Sequence, residues 1–227
     1  SQMINKGAPV LYGNVNTPMD PKTGNVAWGA IETGLIAIAM AQLSNYYNIP
    51  SRSTGCITNA LNFDMQNGFE RFMTLLSAAF SGINYITCAG TYANGLALSL
   101  ELLAIDNELI GMVKRALEGI RVNETTIALD EIKKTVLGLN EGRNYLQSKH
   151  TVENLRDELF ISELCERSNR DTWIRKGSKD VFIKAKEKIK TILQSHKGYE
   201  IDRAIETQMD KYIKEVEEKN RNEYLEK

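Results

Sequence analysis

The chain predicts an α/β fold, a partial TIM-type (β/α) barrel of three to four βα units followed by a helical C-terminal region. Three observations predict it. Short apolar runs end at Gly13, Gly55 and Gly90, and each is followed by a polar loop and a long apolar segment. The glycines lie 42 and 35 positions apart, near the roughly 31 residues per unit of an eight-unit barrel. Strand signals then stop, and helical periodicity fills the rest of the chain.

The first run, Ala8-Pro9-Val10-Leu11-Tyr12, leads into a loop rich in turn formers, Asn14-Val15-Asn16-Thr17-Pro18. Residues 28–47 read as a mostly buried helix through Ile31, Leu35, Ile38 and Leu43. The second run ends at Gly55. After it, Met65, Phe69, Phe72, Met73, Leu76, Ala79 and Phe80 fall on one stripe at three-and-four spacing, an inward-facing helix that Asp64 or Asn62 caps and Gly82 ends. The third run, Tyr85-Ile86-Thr87-Cys88-Ala89, precedes an apolar helical region at 96–105, with Asp106 as the cap of a new helix. Asn123 caps a helix through Ile127, Leu129, Ile132 and Val136, closed by Gly138. Further helices are expected from Thr151, over 181–193, and along the stripe Ile201, Ile205, Met209, Tyr212, Ile213 and Val216. The division expected is βα units over 1–125 and a helical region packed on them over 126–227. Three units do not close an eight-stranded barrel and leave sheet edges open. Either a longer chain or a partner subunit supplies the rest.

A net charge of −1 on 227 residues argues against a general polyanion surface. Residues 1–100 hold only Lys6, Lys22, Arg52 and Arg71 against Asp20, Glu32, Asp64 and Glu70, so the first part reads as enclosed and the second as a solvated helical shell. Three scattered cysteines, Cys56, Cys88 and Cys165, favour a reducing, cytoplasmic setting. The apolar stretch at 34–43 is too short for a membrane span. Neither a nucleic acid nor a membrane is expected as partner.

No glycine-rich dinucleotide fingerprint, phosphate loop, Cys-x-x-Cys or His-Glu-x-x-His occurs. His150 and His196 are the only histidines, so no metal site is expected. His150 reads as structural. Cys56 follows a strand-ending glycine; an apolar filler is preferred there over a thiol facing the site.

Four stretches in one order carry a family resemblance. They are Gly7-Ala8-Pro9-Val10-Leu11-Tyr12-Gly13 with Met19-Asp20 and Thr23-Gly24; then Ala41-Gln42-Leu43, Tyr46-Tyr47-Asn48-Ile49-Pro50, Asp64-x-Gln66 and Glu70. Leu117-Glu118-Gly119-Ile120 with Val122-Asn123-Glu124 follows, and then His150-Thr151, Asn154-Leu155-Arg156, Arg167-Ser168-Asn169, Trp173 and Gly177-Ser178-Lys179-Asp180. In these the chain resembles the carboxyl-terminal half of the trimethylamine methyltransferase family. The resemblance implies a barrel enzyme about twice this long that moves a methyl group from a methylated amine to a corrinoid (cobalamin) held by a separate corrinoid protein, with no cofactor bound directly and assembly as a homo-oligomer.

One departure sets the expected substrate. The archaeal trimethylamine enzymes carry pyrrolysine after a glycine pair; here that place falls at about Ile57, behind Gly55 and Cys56. The resemblance therefore implies the non-pyrrolysine type. Reduced cobalt attacks a methyl carbon, and a quaternary ammonium already has a neutral amine as leaving group. Such a substrate needs positioning and desolvation rather than acid catalysis. A betaine-like quaternary amine is expected, or trimethylamine. Aromatic faces hold such a cation, which nominates Tyr12, Phe63, Phe69 and Tyr92, with Phe69 preferred as core. Asn14, Asn16, Asn59, Asp64 and Gln66 are nominated for a substrate carboxylate or for docking the corrinoid protein, with Asp64 and Gln66 also readable as helix-start residues. Cys56 completes the candidate set; no catalytic residue is assigned. The competing readings are a non-catalytic module assembling through its sheet edge, and an unrelated barrel enzyme such as an aldolase, for which 8–100 offers only Lys22 outside a helix.

Overall fold

The computed structural model describes residues 1–138, 144–198 and 201–225. Three short strands, β1 (Tyr12–Gly13), β2 (Ser51–Thr54) and β3 (Tyr85–Thr87), form a parallel sheet in the order β1-β2-β3. Each leads to a long helix: α1 (Ile31–Tyr46), α2 (Met65–Phe80) and α3 (Leu100–Leu117). A hairpin of β4 (Thr91–Tyr92) and β5 (Ala97–Leu98) stands between β3 and α3. The expected three βα units are therefore present.

The register assigns the two faces of the sheet. Tyr12 pairs with Ser51, Arg52 with Tyr85, and Thr54 with Thr87. Alternate residues share a face. Ser51, Ser53 and Ile86 face the helices, where Ile86 packs on Ala41, Ala78 and Ile83. Arg52, Tyr85 and Thr87 lie on the other face, where an Arg52 Nη2 donates to Thr87 Oγ1 at 2.8 Å and Tyr85 is exposed. Among the described residues, Arg52 meets no carboxylate there.

Helix α2 reverses the expectation. Its buried residues are Asn67, Glu70, Arg71, Thr74, Leu75 and Ala78, and Phe69 is 59% exposed. The apolar stripe thus faces outward, because the space beneath α2 is filled by polar loop backbone that needs hydrogen-bond partners. Asp64 is its N-cap, accepting from the Asn67 amide at 3.0 Å. Asp106 caps nothing: Ser99 caps α3, and Asp106 is buried mid-helix. Residues 96–98, expected as helix, belong instead to the hairpin.

The segment after α3 is helical but broken. α4 (Glu124–Ile127) carries a capping box from Asn123 and Thr126, and α5 (Leu129–Val136) starts anew after Ala128, whose φ is 50°. α6 (Lys149–Asn154), α7 (Arg170–Arg175) and α8 (Val181–Ser195) follow. The chain divides into two compact units, Ser1–Lys190 and Thr191–Lys227. Most of the helical region thus belongs with the strands. The second unit contains α9 (Arg203–Leu225). No helix of the described residues is long and apolar enough to cross a membrane.

Within the first unit, the return segment docks on α3. Ala104 and Ile105 pack with Leu164, Ala185 and Ile189. The buried Glu108 accepts from Ser162 Oγ at 2.5 Å and from the Glu163 amide at 3.2 Å. Gly111 is required by close approach: a Cβ there would stand 2.5 Å from the Phe160 ring. Gly111→Val should lower stability by about 1–3 kcal/mol through overpacking, measured by urea unfolding. Valine is the better probe, since alanine would recover about 1 kcal/mol of helix propensity.

Candidate functional site

The loops that leave β2 and β3 are held by side chains from the inward face of α2. Glu70 is the first anchor. Its Oε2 accepts from Thr58 Oγ1 at 2.6 Å and from the Asn59 amide at 2.9 Å, and its Oε1 accepts from Gln66 Nε2 at 2.9 Å. Gly29 lies so close to this carboxylate that any Cβ would collide with it. Thr74 adds a bond to the Ile57 amide at 3.3 Å.

Arg71 is the second anchor. It is 1% exposed and grips Asp106, itself 0% exposed, with Nε donating to Oδ1 at 2.9 Å and Nη2 to Oδ2. Its Nη1 donates to the Thr91 carbonyl, and the Gly90 amide donates to Asp106 Oδ2 at 2.6 Å. One buried pair therefore ties α2, α3 and the loop after β3 together. Burial pushes the Asp106 carboxyl up from its ordinary value, while the guanidinium pulls it down less strongly.

The two loops are stitched to each other. The Asn94 amide donates to the Thr58 carbonyl at 3.2 Å and the Ala93 amide to the Ala60 carbonyl at 3.1 Å. Asn59 Nδ2 reaches Asn94 Oδ1 and, at 2.7 Å, the Val26 carbonyl, while Asn59 Oδ1 accepts from the Gly29 amide at 2.7 Å. Cys56, Cys88, Ala93 and Asn94 all have positive φ. Such backbone strain in non-glycine residues persists only where the surroundings over-determine it, and it gathers at functional loops.

Above this platform lies an aromatic group. The Phe63 and Tyr92 rings have centroids 5.0 Å apart, and Phe182 of α8 stacks on Phe63 at 4.8 Å. The structure thus brings Asn59, Gln66, Phe63 and Tyr92 to the ends of β2 and β3. It does not bring Tyr12 there. Tyr12 shares the helix-facing side of the sheet with Ser51, and its hydroxyl donates to Met40 Sδ of α1 at 3.6 Å. Asn14 is buried and accepts from the Asn16 amide at 2.9 Å, forming a local turn after β1; the Asn16 side chain is exposed. Asp64 is committed to its cap. Phe69, on the outer stripe, belongs neither to the core nor to this group.

Cys56 is corrected. It is 1% exposed and packs with Leu75 and Val113. Burial first, and then the neighbouring Asp106 carboxylate, push its thiol far above the ordinary value. It is a neutral core group, out of reach of a dissolved substrate. Glu70, Arg71, Asp106, Asn94 and Phe182 are the contributors that sequence reasoning did not assign to the site. The signal for Glu70 and Arg71 was their isolation: they are the only charged residues of an otherwise uncharged helix.

Residues 1–220 match the family Trimethylamine methyltransferase (MTTB). The chain is 38% identical over 202 residues to trimethylamine methyltransferase MttB of Methanosarcina barkeri (strain Fusaro), covering 89% of this chain and 40% of that protein. It is 34% identical over 197 residues to glycine betaine methyltransferase of Desulfitobacterium hafniense (strain Y51), covering 86% of this chain and 38% of the relative. An MttB from the DCB-2 strain of that organism is 33% identical over 218 residues, 96% of this chain and 43% of that protein. The chain belongs to the trimethylamine methyltransferase family. It spans about 40% of the length of the curated relatives it matches.

Removing one partner of a buried pair costs about 3–5 kcal/mol because the other charge is left uncompensated. Asp106→Ala should cost that much in chemical denaturation. The double change Arg71→Met with Asp106→Leu should cost clearly less than Asp106→Ala alone.

Proposed function

We propose that this chain forms one flank of the active site of a methyltransferase. Its substrate is a methylated amine: a quaternary amine such as a betaine, or trimethylamine. Its acceptor is the Co(I) of a corrinoid carried by a separate protein. The observation that carries the reading is the meeting of Phe63 and Tyr92 with the Asn59–Asn94–Glu70 network at the ends of β2 and β3. Barrel enzymes place their chemistry at these strand ends. Membership of a family that includes both trimethylamine and glycine betaine methyltransferases supports the substrate class.

The rest of the ring is supplied by chain beyond this segment. Three features favour that arrangement: among the described residues β1 and β3 each pair on one side only, Tyr85 is exposed on the face it shares with Arg52, and the relatives are more than twice as long.

In this reading the aromatic faces of Tyr92 and Phe63 hold the alkylammonium head. The place that the resemblance assigns to pyrrolysine falls at about Ile57, whose side chain supplies no acid to the nitrogen, and a permanently charged substrate needs none. The corrinoid supplies reduced cobalt as the nucleophile. The loops offer aromatic rings, amides and hydroxyls, a donor set suited to a methylammonium group and a carboxylate rather than to a tetrapyrrole. The corrinoid therefore stays with its carrier. Glu70 and the Arg71–Asp106 pair act as positioning residues. They fix the loops that would hold the methylammonium group, and closely set geometry supplies much of the acceleration in bimolecular transfers.

The test is methyl transfer by the full-length protein to reduced cobalamin, across betaines, carnitine and trimethylamine. Turnover of a quaternary amine is expected; turnover of none of them overturns the reading. In the same protein, Tyr92→Ala should weaken quaternary-amine binding by about 0.5–2 kcal/mol. Tyr12→Ala and Cys56→Ser should leave that affinity unchanged, as measured by titration calorimetry.

A further inference from the structure

The outward stripe of α2 is the largest feature that the proposed chemistry does not use. Met65, Phe69, Phe72, Met73 and Phe80 are exposed along the helix at three-and-four spacing, on the side opposite Asn67, Glu70, Arg71 and Thr74, while Leu76 between them packs partly on the Cys56, Leu75 and Val113 core. Met65 is 85% exposed. Apolar side chains of this size do not form a continuous exposed row on a typical monomer.

Topology limits what can cover the row. β2 is the central strand, paired on both sides, and α2 packs against both α1 and α3. Further βα units can join only at the free edges of β1 or β3. Their helices would then lie beyond α1 or α3 and not over α2. Whatever covers the row is therefore not a further βα unit of the ring.

Charge narrows the choice. The only charged residues of α2, Glu70 and Arg71, both point inward, and α1 contributes only Glu32. An uncharged surface meets its own copy without like-charge repulsion, which is what a two-fold contact demands. Leu35 and Ile38 of α1 widen the patch, and a groove of about 310 Å³ lined by Ile38, Leu76, Ser77, Phe80 and Ser81 gives it relief. The exposed area of these side chains is roughly 700 Å², close to the ≈ 800 Å² per partner of a standard interface.

We propose that the outer face of α2 is a dimer interface on which a second copy of this chain packs, α2 against α2 about a two-fold axis near Phe72. The groove beside Leu76 and Phe80 receives an aromatic side chain of the other copy. This surface is separate from the strand-end loops, so it stands or falls independently of the methyl-transfer reading.

Sedimentation of the full-length protein over a concentration series tests it, with Phe72→Glu and Phe80→Glu as variants. Both positions are exposed, and circular dichroism checks that the fold is kept. The wild type should sediment as a dimer, or as a multiple of dimers. Each variant should raise the dimer dissociation constant at least about a hundredfold, since it buries an unpaired charge at the contact. A second measurement needs no loss of assembly: Phe72→Cys should cross-link to itself on mild oxidation, and Val122→Cys, exposed away from α2, should not. A monomeric wild type, variants that keep the wild-type mass, or no Phe72→Cys cross-link would each overturn the proposal.

Discussion

The buried pair of Arg71 and Asp106 is the constraint on which the rest of this structure depends. It joins the middle of α2 to the first half of α3, and it reaches the Gly90 amide and the Thr91 carbonyl. A pair removed this completely from water is an expensive way to hold two helices together, and an apolar contact of equal volume would often be no weaker. What it supplies is direction. A guanidinium fork and a carboxylate fix the loop after β3 in a single orientation, with four non-glycine residues of the two loops held at positive φ.

The same demand explains why α2 is turned round. A helix over a sheet ordinarily lays its apolar side inward. Here the helix covers loop backbone as well as strand, and the amides of Ile57, Asn59 and Gly90 must be satisfied when buried. Glu70, Arg71 and Thr74 do this, or recruit the residue that does. The core beneath is correspondingly small: Ala41, Ala78 and Ile83 in one cluster, Cys56, Leu75 and Val113 in another. The large apolar residues Met65, Phe69, Phe72, Met73 and Phe80 are displaced to the outer surface. Polar loop anchoring inside and an apolar row outside are two consequences of one arrangement.

Much of this was legible in the amino acids. Glycines near the strand ends announced the βα units, although the structure requires them for different reasons: Gly90 takes a positive φ, and Gly55 is held by the close approach of Ile86 and Leu75. Asp64, three residues before the first amide it caps, marked the start of α2 within a residue. The orientation of α2 was not legible, because an apolar stripe indicates which residues share a face but not what lies behind it. Asp106 was misread for a similar reason: an aspartate ahead of an apolar run resembles a cap until a distant arginine is known to reach it. Phe182 and Phe63 are separated by more than a hundred positions, and no local pattern joins them. Tyr12 showed the limit of a strand-end assignment. One position of register decides whether a strand side chain turns to the helices or to the other face.

The most direct test of this account is native-state hydrogen exchange at the backbone amides of Asn59 and Gly90. Both lie in loops, but each is bonded to a carboxylate that the inward face of α2 supplies or holds. The account predicts that they exchange only through global unfolding, with protection equal to that of the central strand β2. Exchange on the timescale of ordinary surface loops would contradict it, and would leave the polar side of α2 without a role.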